Sequence, residues 1–176
     1  MKKYFKVVIA FAFVMIGVIV LTGCEPKREA INFKGEEGSL TFNVKEDSKC
    51  KLSTNKDDFK TTREQGNLIC KDFKIGIEFD DDFSYVFNGD FKNLKEARKD
   101  NDDYKEVTYS DIKGIQYFYG GYMRYNVILP IKESKKYYLV LTVYGKEDNE
   151  KSAKAAIKNQ KVSDVLNNIT EIKTVK

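Results

Sequence analysis

Residues 136–145, KYYLVLTVYG, are apolar along both faces of an extended strand. Successive side chains of a strand point to opposite faces, so Leu139, Leu141 and Val143 share one face while Tyr138 and Val140 share the other. A strand that is apolar on both faces must be covered on both. We therefore expect this stretch to lie near the centre of a sheet that is packed on its two sides.

Three stretches before it also have the composition of strands. YKEVTY (104–109), GIQYFY (114–119) and YMRYNVILPI (122–131) are rich in β-branched and aromatic residues. Gly120-Gly121 and KESKK (132–136) stand where hairpin turns are needed. Together the four stretches predict an antiparallel meander.

The remaining periodic segments complete the predicted domain. SLTFNV (39–44) alternates as a strand does, and so does the run around Phe73 to Phe79. NLKEARKDN (93–101) predicts a short helix that Asn93 caps, and residues 153–169 predict an amphipathic helix that NQK (159–161) breaks or kinks. We predict an α+β fold for residues 39–176: a single antiparallel sheet of about five to six strands, packed by the C-terminal amphipathic helix and the short helix.

This order of elements resembles the PsbP-like fold. The matching segments are NLKEAR, IKGIQYFY, YYLVLTVYG and VSDVLNNITEI, and the resemblance covers about residues 39–173. It implies a binding or assembly module without catalytic residues. These segments are ordinary strand and helix patterns, so no functional residue is carried over from the family.

The N-terminus has the anatomy of a secretory signal. Three lysines precede an uncharged apolar stretch, residues 7–21, which is shorter than the ~20 residues of a comfortable membrane span. The stretch ends in Leu21-Thr22-Gly23-Cys24, which resembles the lipobox of bacterial lipoproteins. The resemblance implies that the Cys24 thiol receives a diacylglyceryl group and that signal peptidase II cuts before it. A retained membrane span is the alternative.

The domain organisation follows from that cleavage point. Residues 1–23 are predicted to be the signal peptide, and residues 24–38, which contain Pro26, Gly35 and Gly38, a flexible spacer between membrane and domain. Removing the three lysines of the signal takes the formal net charge from +4 to +1. The mature chain therefore has no basic excess that would indicate binding to nucleic acid.

The absence of histidine excludes several classes of chemistry. A chain with no histidine has no Ser-His-Asp triad, no Cys-His pair and no histidine zinc site. We predict a protein that is not an enzyme and has no cofactor.

Cys50 and Cys70 are the two cysteines beyond Cys24. The secretory signal predicts a compartment in which disulfides persist, and a bridge between them would stabilise the fold by roughly 3 kcal/mol. Two buried free thiols that act as small apolar residues are the alternative.

An acidic run offers oxygen ligands for calcium. It comprises Glu78, Asp80, Asp81, Asp82 and Asp90, but it lacks the glycine and the closing glutamate of an EF-hand loop. We interpret it as a solvated turn after a strand and predict no metal site. Paired carboxylates in a cleft would serve a glycosidase, although adjacency in sequence does not establish such a pair.

A surface rich in tyrosine and amide groups is the candidate site for a partner. It comprises Tyr117, Tyr119, Tyr122, Tyr125 and Asn126, and tyrosine supplies a large rigid contact area at low entropic cost. Because strand side chains alternate, we expect at least half of these rings to lie in the core.

The predicted function is that of a monomeric lipoprotein, anchored to the cell membrane through Cys24 and facing outside the cytoplasm. Its domain would act as a non-enzymatic binding or assembly module for an envelope protein or ligand. The alternatives are an accessory envelope hydrolase that uses carboxylates and a surface inhibitor or immunity lipoprotein.

Overall fold

The structure, a computed structural model, describes residues 26–80, 90–132 and 137–174. Within these ranges the chain forms two antiparallel sheets and three α-helices. In chain order the strands are β1 (Arg28–Lys34), β2 (Gly38–Lys45), β3 (Lys51–Ser53), β4 (Gly66–Ile69), β5 (Lys74–Asp80), β6 (Lys105–Tyr109), β7 (Ile112–Tyr119), β8 (Arg124–Pro130), β9 (Tyr138–Tyr144) and β10 (Ile169–Thr174). The helices are α1 (Phe91–Arg98), α2 (Glu150–Ile157) and α3 (Gln160–Asn167).

The predicted fold class, an α+β fold with one sheet in the PsbP-like arrangement, is wrong. The protein is mostly β, with a seven-stranded sheet in the order β3-β4-β5-β9-β8-β7-β6 and a three-stranded sheet in the order β1-β2-β10. Part of the error lies in β1 and β10: residues 28–34 were predicted to be spacer, and Ile169 was predicted to end a helix. These two strands pair with β2 on either side and build the second sheet.

The central strand was predicted correctly. β9 is the fourth strand of seven, between β5 and β8, and each of its seven residues is buried. The meander of β6, β7, β8 and β9 is also confirmed.

One face of the large sheet, here called the core face, carries the main hydrophobic core. Leu139, Leu141 and Val143 of β9 lie on it, and side chains of β5 and β8 flank them. The small sheet contributes Phe33, Leu40, Phe42 and Val44 to this core, and α2 and α3 contribute Ala153, Ala156, Val162, Val165 and Leu166. The small sheet and the two helices therefore form one layer over the core face.

The opposite face, here called the cleft face, is covered only in part by apolar contacts. Helix α1 places Leu94 against Ile115, Ile128 and Val140 in a second, smaller cluster. Asp90 caps this helix by accepting from the Lys92 backbone N–H at 2.8 Å, so the predicted cap, Asn93, is wrong. At the other end of this face the polar segment between β3 and β4 crosses the sheet.

The predicted flexible spacer at residues 24–38 is wrong for residues 28–34, which form β1. The pattern REAINFK buries only Phe33 fully, so the segment resembles a polar linker in sequence. Its place in the fold is held by pairing with β2 and by Arg28, whose guanidinium donates two hydrogen bonds, of 2.8 and 3.0 Å, to the Asp164 carboxylate of α3. That pairing holds the pKa of Asp164 below its ordinary value. The ordered domain therefore begins by Arg28, not at residue 39.

The predicted C-terminal helix is two helices and a strand. α2 ends at Ile157, and Asn159 caps α3 by accepting from the Lys161 N–H, so the expected break at NQK is present. Ile169, which the apolar periodicity assigned to the helix, begins β10 and pairs with Phe42. A bulge between Thr170 and Lys173, with Glu171 at φ 53°, continues the strand along β2.

Across residues 26–80, 90–132 and 137–174, no helix has both the length and the apolar character that crossing a membrane requires.

Candidate functional site

A row of alternating cations and aromatic rings crosses the cleft face. Register brings Lys74, Tyr144, Arg124 and Tyr119 side by side on β5, β9, β8 and β7. The Lys74 ammonium lies 5.3 Å from the centre of the Tyr144 ring, and the Arg124 guanidinium lies 6.0 Å from it. The guanidinium also lies 5.6 Å from the Tyr119 ring, so each cation of this row contacts a ring on a neighbouring strand.

The Arg124 side chain is held in place by a buried hydrogen-bonded network. Its Nη1 donates to the Tyr144 hydroxyl at 3.0 Å, and that hydroxyl donates to the carboxylate of Glu64. Glu64 is only 3% exposed, and its other carboxylate oxygen accepts from the Lys60 backbone N–H at 3.3 Å. Burial and the bond to Glu64 raise the pKa of Tyr144, so the ring stays neutral and its hydroxyl remains a donor.

Glu64 fits over the sheet because β5 has a glycine beneath it. A Cβ atom built on Gly76 would lie 2.5 Å from the Glu64 carboxyl carbon and 2.5 Å from its Oε1. No side chain larger than hydrogen leaves this space free. A glycine inside an otherwise bulky strand thus marks the close approach of another group.

A second row of side chains, parallel to the first, forms a polar floor. Thr142, Asn126 and Tyr117 are cross-strand neighbours on β9, β8 and β7, and all three are buried. Asn126 Nδ2 donates to the Tyr117 hydroxyl at 3.2 Å, and Thr142 Oγ1 lies 3.5 Å from Asn126 Oδ1. These neutral groups can donate to and accept from hydroxyl groups of a ligand.

Two carboxylates line the same floor on β5. Glu78 is the cross-strand neighbour of Val140, and Asp80 follows two residues later on the same face. Burial, followed by the nearby Asp80 carboxylate, raises the pKa of Glu78 to about 7. Asp80 lies 3.7 Å from Arg63 in an ion pair.

These groups surround a cleft of about 470 Å³ between α1, the crossing segment and the tip of the β7–β8 hairpin. We call it the tyrosine–arginine cleft. Its described lining residues are Lys60, Thr61, Thr62, Arg63, Glu78, Asp80, Arg98, Tyr117, Tyr119, Tyr122, Arg124, Asn126, Val140 and Thr142. A second depression, of about 1050 Å³, adjoins it and shares Lys60 to Arg63, Glu78 and Asp80.

The tyrosine-rich surface predicted from sequence is divided between the two faces. Tyr117, Tyr119, Tyr122 and Asn126 line the tyrosine–arginine cleft. Tyr125 points to the core face, where it packs on Phe118 and donates to Asp103 at 2.5 Å. Tyr119 and Tyr122 are 40% and 56% exposed, and their rings lie 5.1 Å apart at the mouth of the cleft.

The candidate cysteine pair is bonded in the structure. Cys50 and Cys70 form a disulfide one position beyond the pairing of β3 with β4, where the register sets them opposite each other. Cys24, the predicted point of lipid attachment, lies outside the described residues.

The residues of the predicted acidic run lie in different parts of the structure. Glu78 and Asp80 line the cleft and Asp90 caps α1, while Asp81 and Asp82 lie outside the described residues. In the part of the chain that the structure describes, no three side chains of histidine, cysteine, aspartate or glutamate are grouped as metal ligands would be.

Arg124, Tyr144 and Glu64 are among the site residues that the sequence did not predict. Arg124 and Tyr144 stand inside strands whose alternation was predicted, so their common face was available from the pattern. Glu64 lies in a polar segment without periodicity, and its one signal in the sequence is Gly76 on a strand that is bulky elsewhere.

No protein-family model, no curated protein and no solved structure matches this chain.

Proposed function

We propose that this chain is a lipoprotein, held at the outer side of the cell membrane through Cys24, whose domain binds a small polar ligand in the tyrosine–arginine cleft. The binding is not coupled to a reaction. The lipobox at residues 21–24 supports the anchor, and the preformed cleft supports the binding.

The observation that carries the proposal is the way in which Arg124 is presented. Its guanidinium is fixed by the Tyr144 hydroxyl and lies 4.6 Å from the centre of the Tyr122 ring, at the mouth of the cleft. Holding a donor in place before binding reduces the entropic cost of association. Three residues hold this arrangement: the buried Glu64, Gly76 beneath it, and Tyr144. Packing of the sheet alone does not require these polar contacts.

The position of β1 sets how far the domain can lie from the membrane. Three residues lie between Cys24 and Arg28, and the four steps from one to the other span at most about 14 Å of extended chain. β1 then runs through seven residues, about 23 Å, to a hairpin whose Gly35, Glu36 and Glu37 line the adjoining depression. An anchor at Cys24 would therefore hold the domain close to the bilayer, with that depression at the far end of the hairpin.

The anchor is tested by a Cys24→Ala variant and alkaline extraction of membranes. We expect the wild-type chain to stay in the membrane fraction and the variant to be released from it or to remain as uncleaved precursor of higher mass. A variant of wild-type mass that stays in the membranes would overturn the lipobox assignment.

Ligand binding is tested by native mass spectrometry on the full chain in detergent micelles. The protein is incubated with the small-molecule fraction of an envelope extract, and we expect a one-to-one adduct on the wild type. Arg124→Gln should lose the adduct, and Lys158→Gln, at the exposed residue that follows α2, should keep it. A wild type without any adduct, or an Arg124→Gln variant with the full adduct, would contradict the proposal.

A carboxylate-dependent envelope hydrolase is the second candidate, because of one observation. Glu78 has a pKa of about 7 and shares a strand face with Asp80, and a proton donor beside a second carboxylate is what glycoside hydrolysis uses. Release of reducing sugar from cell-wall polysaccharide by the wild type, and its loss in Glu78→Gln, would favour the hydrolase. No release by the wild type would leave the binding function.

A further inference from the structure

The charges that line the tyrosine–arginine cleft favour an anionic ligand. Among its described lining residues, Lys60, Arg63, Arg98 and Arg124 oppose the two carboxylates of Glu78 and Asp80. Asp80 is already paired with Arg63 at 3.7 Å. The cationic excess lies toward Arg124 and Arg98, on the side of the tyrosines.

Arg124 also retains a donor that no described residue uses. Its Nη1 is bonded to Tyr144, but its Nε is buried and lacks a hydrogen-bond acceptor in the described part of the chain. Leaving a buried donor unpaired is costly. A carboxylate or phosphate group that reached this guanidinium would supply the acceptor, and arginine binds such groups through two parallel hydrogen bonds.

The tyrosines at the mouth favour a ring-shaped ligand. Tyr119 and Tyr122 are the most exposed large hydrophobic side chains of the described residues, and the rings lie within reach of the same guanidinium. An exposed aromatic face above a cleft offers a flat contact for a ring at low entropic cost. The ring of such a ligand would stack here while its acidic group reached Arg124.

The interior of the cleft favours a ligand rich in hydroxyl groups. Thr142, Asn126 and the Tyr117 hydroxyl form the floor, and Thr61 and Thr62 lie on the crossing segment. Val140 is the one aliphatic side chain among the described lining residues. Groups of this kind exchange hydrogen bonds with hydroxyls and offer little contact to an acyl chain.

We propose that the tyrosine–arginine cleft binds an acidic sugar, which is a hydroxyl-bearing ring that carries a carboxylate or a phosphate. The acidic group pairs with Arg124, the ring stacks on Tyr122, the more exposed of the two tyrosines at the mouth, and the hydroxyls bond to Asn126 and Thr142. This assignment rests on the proposed binding function and names the class of its ligand.

The test is isothermal titration calorimetry on the full chain in detergent micelles at pH 6 and low salt. The probes are glucuronic acid and glucose 6-phosphate, with glucose as the ring without charge and inorganic phosphate as the charge without a ring. We expect at least one acidic sugar to bind at least tenfold more tightly than both glucose and phosphate. The stronger of the two acidic probes shows whether the acidic group is a carboxylate or a phosphate.

Two variants test separately the contributions of the guanidinium of Arg124 and of the ring of Tyr122. Arg124→Gln should weaken binding of the acidic sugar about tenfold or more, because it removes a charge-assisted hydrogen bond. Tyr122→Ala, at a position that is 56% exposed, should weaken binding of the acidic sugar by a larger factor than binding of inorganic phosphate. Lys158→Gln should bind as the wild type does, and higher salt should weaken binding in all of them.

Three results would overturn the assignment. If neither acidic sugar binds more tightly than glucose, charge has no role in recognition. If neither binds more tightly than inorganic phosphate, the ring has no role. Wild-type affinity in a folded Tyr122→Ala variant would place the sugar elsewhere. If the extract adduct forms but no acidic sugar competes with it, the ligand class is wrong and the binding function stands; if no adduct forms, both fall.

Discussion

The two faces of the large sheet use the same strands for opposite purposes. On the core face Leu139, Leu141 and Val143 are sealed by the small sheet and by two helices. On the cleft face the alternate residues take part in hydrogen bonds: Thr142 bonds to Asn126, and the Tyr144 hydroxyl accepts from Arg124 and donates to Glu64. One strand thus contributes a packed interior on one side and a site on the other.

The difference lies in what covers each face. A face that carries only aliphatic and aromatic groups is stabilised by whatever apolar layer lies on it. The cleft face buries Glu64, Asn126 and Thr142, and each needs a specific partner at a specific place. Its cover is a polar segment and one short helix, which leaves an opening between them.

The largest expected effect comes from removing apolar volume on the core face. Leu141→Ala should lower the free energy of unfolding by about 3 kcal/mol, because the side chain is fully buried at the centre of the sheet. Thr142, the next residue, lies on the opposite face. Thr142→Ala should cost about 1 kcal/mol or less, since the one hydrogen bond of its side chain in the described part of the chain, to Asn126, is long, at 3.5 Å. Urea denaturation of both variants under non-reducing conditions measures the two losses. Equal losses would show that the faces do not differ in this way.

An intermediate loss of stability is expected at Gly76, where the absence of a side chain leaves room for Glu64 on the cleft face. Gly76→Ala should cost about 2 kcal/mol, because the new methyl group occupies the space of the Glu64 carboxylate and breaks its bond to Tyr144.

The matched control for that prediction is Gly121→Ala, since a Cβ there meets nothing within 4 Å. Its free energy of unfolding should stay within about 0.5 kcal/mol of the wild type. A Gly76→Ala variant as stable as Gly121→Ala would mean that Glu64 is free to leave its position at no cost.

Predictability from sequence differs between the two faces for the same physical reason. Period-two alternation and apolar content identified β6 to β9 and the central place of β9, because these patterns are local. The same alternation indicates which side chains of these strands lie on the core face. β1 and β10 escaped prediction because each buries few residues and exists through its pairing with β2, which is far away in sequence.

The site was predictable only in its aromatic part. Four of the five residues in the tyrosine-rich prediction line the cleft, since strands that alternate bring Tyr117 and Tyr119 to one face. Glu64 could not be placed, because its contact with Tyr144 spans 80 residues and no periodicity links the two. Long-range polar contacts of this kind depend on the register of several strands at once.

The smallest effect is expected from the charge of Glu78, and it depends on pH. Its carboxyl group has a pKa of about 7 in the folded protein against an ordinary value of 4.5, chiefly because of burial. Asp80 and Glu64 also disfavour its ionised form, while Arg63 and Arg124 favour it. Below about pH 4.5 the group is protonated in both the folded and unfolded states, so it contributes no dependence on pH there.

Between pH 4.5 and 7 the unfolded chain loses this proton before the folded chain does, so the free energy of unfolding falls as pH rises and stays lowered above 7. Glu78→Gln lacks this fall. We expect the variant to gain about 1 kcal/mol over the wild type between pH 4.5 and pH 8, a modest value because the side chain is only partly buried. Urea denaturation at both values of pH measures the gain, with Glu29→Gln, at an exposed position of β1, as the matched control. If the stability of Glu78→Gln equals that of the wild type at pH 4.5 and at pH 8, the cleft floor holds an ionised carboxylate as easily as the open surface does. Burial in the cleft face would then carry no electrostatic cost that distinguishes it from the core face.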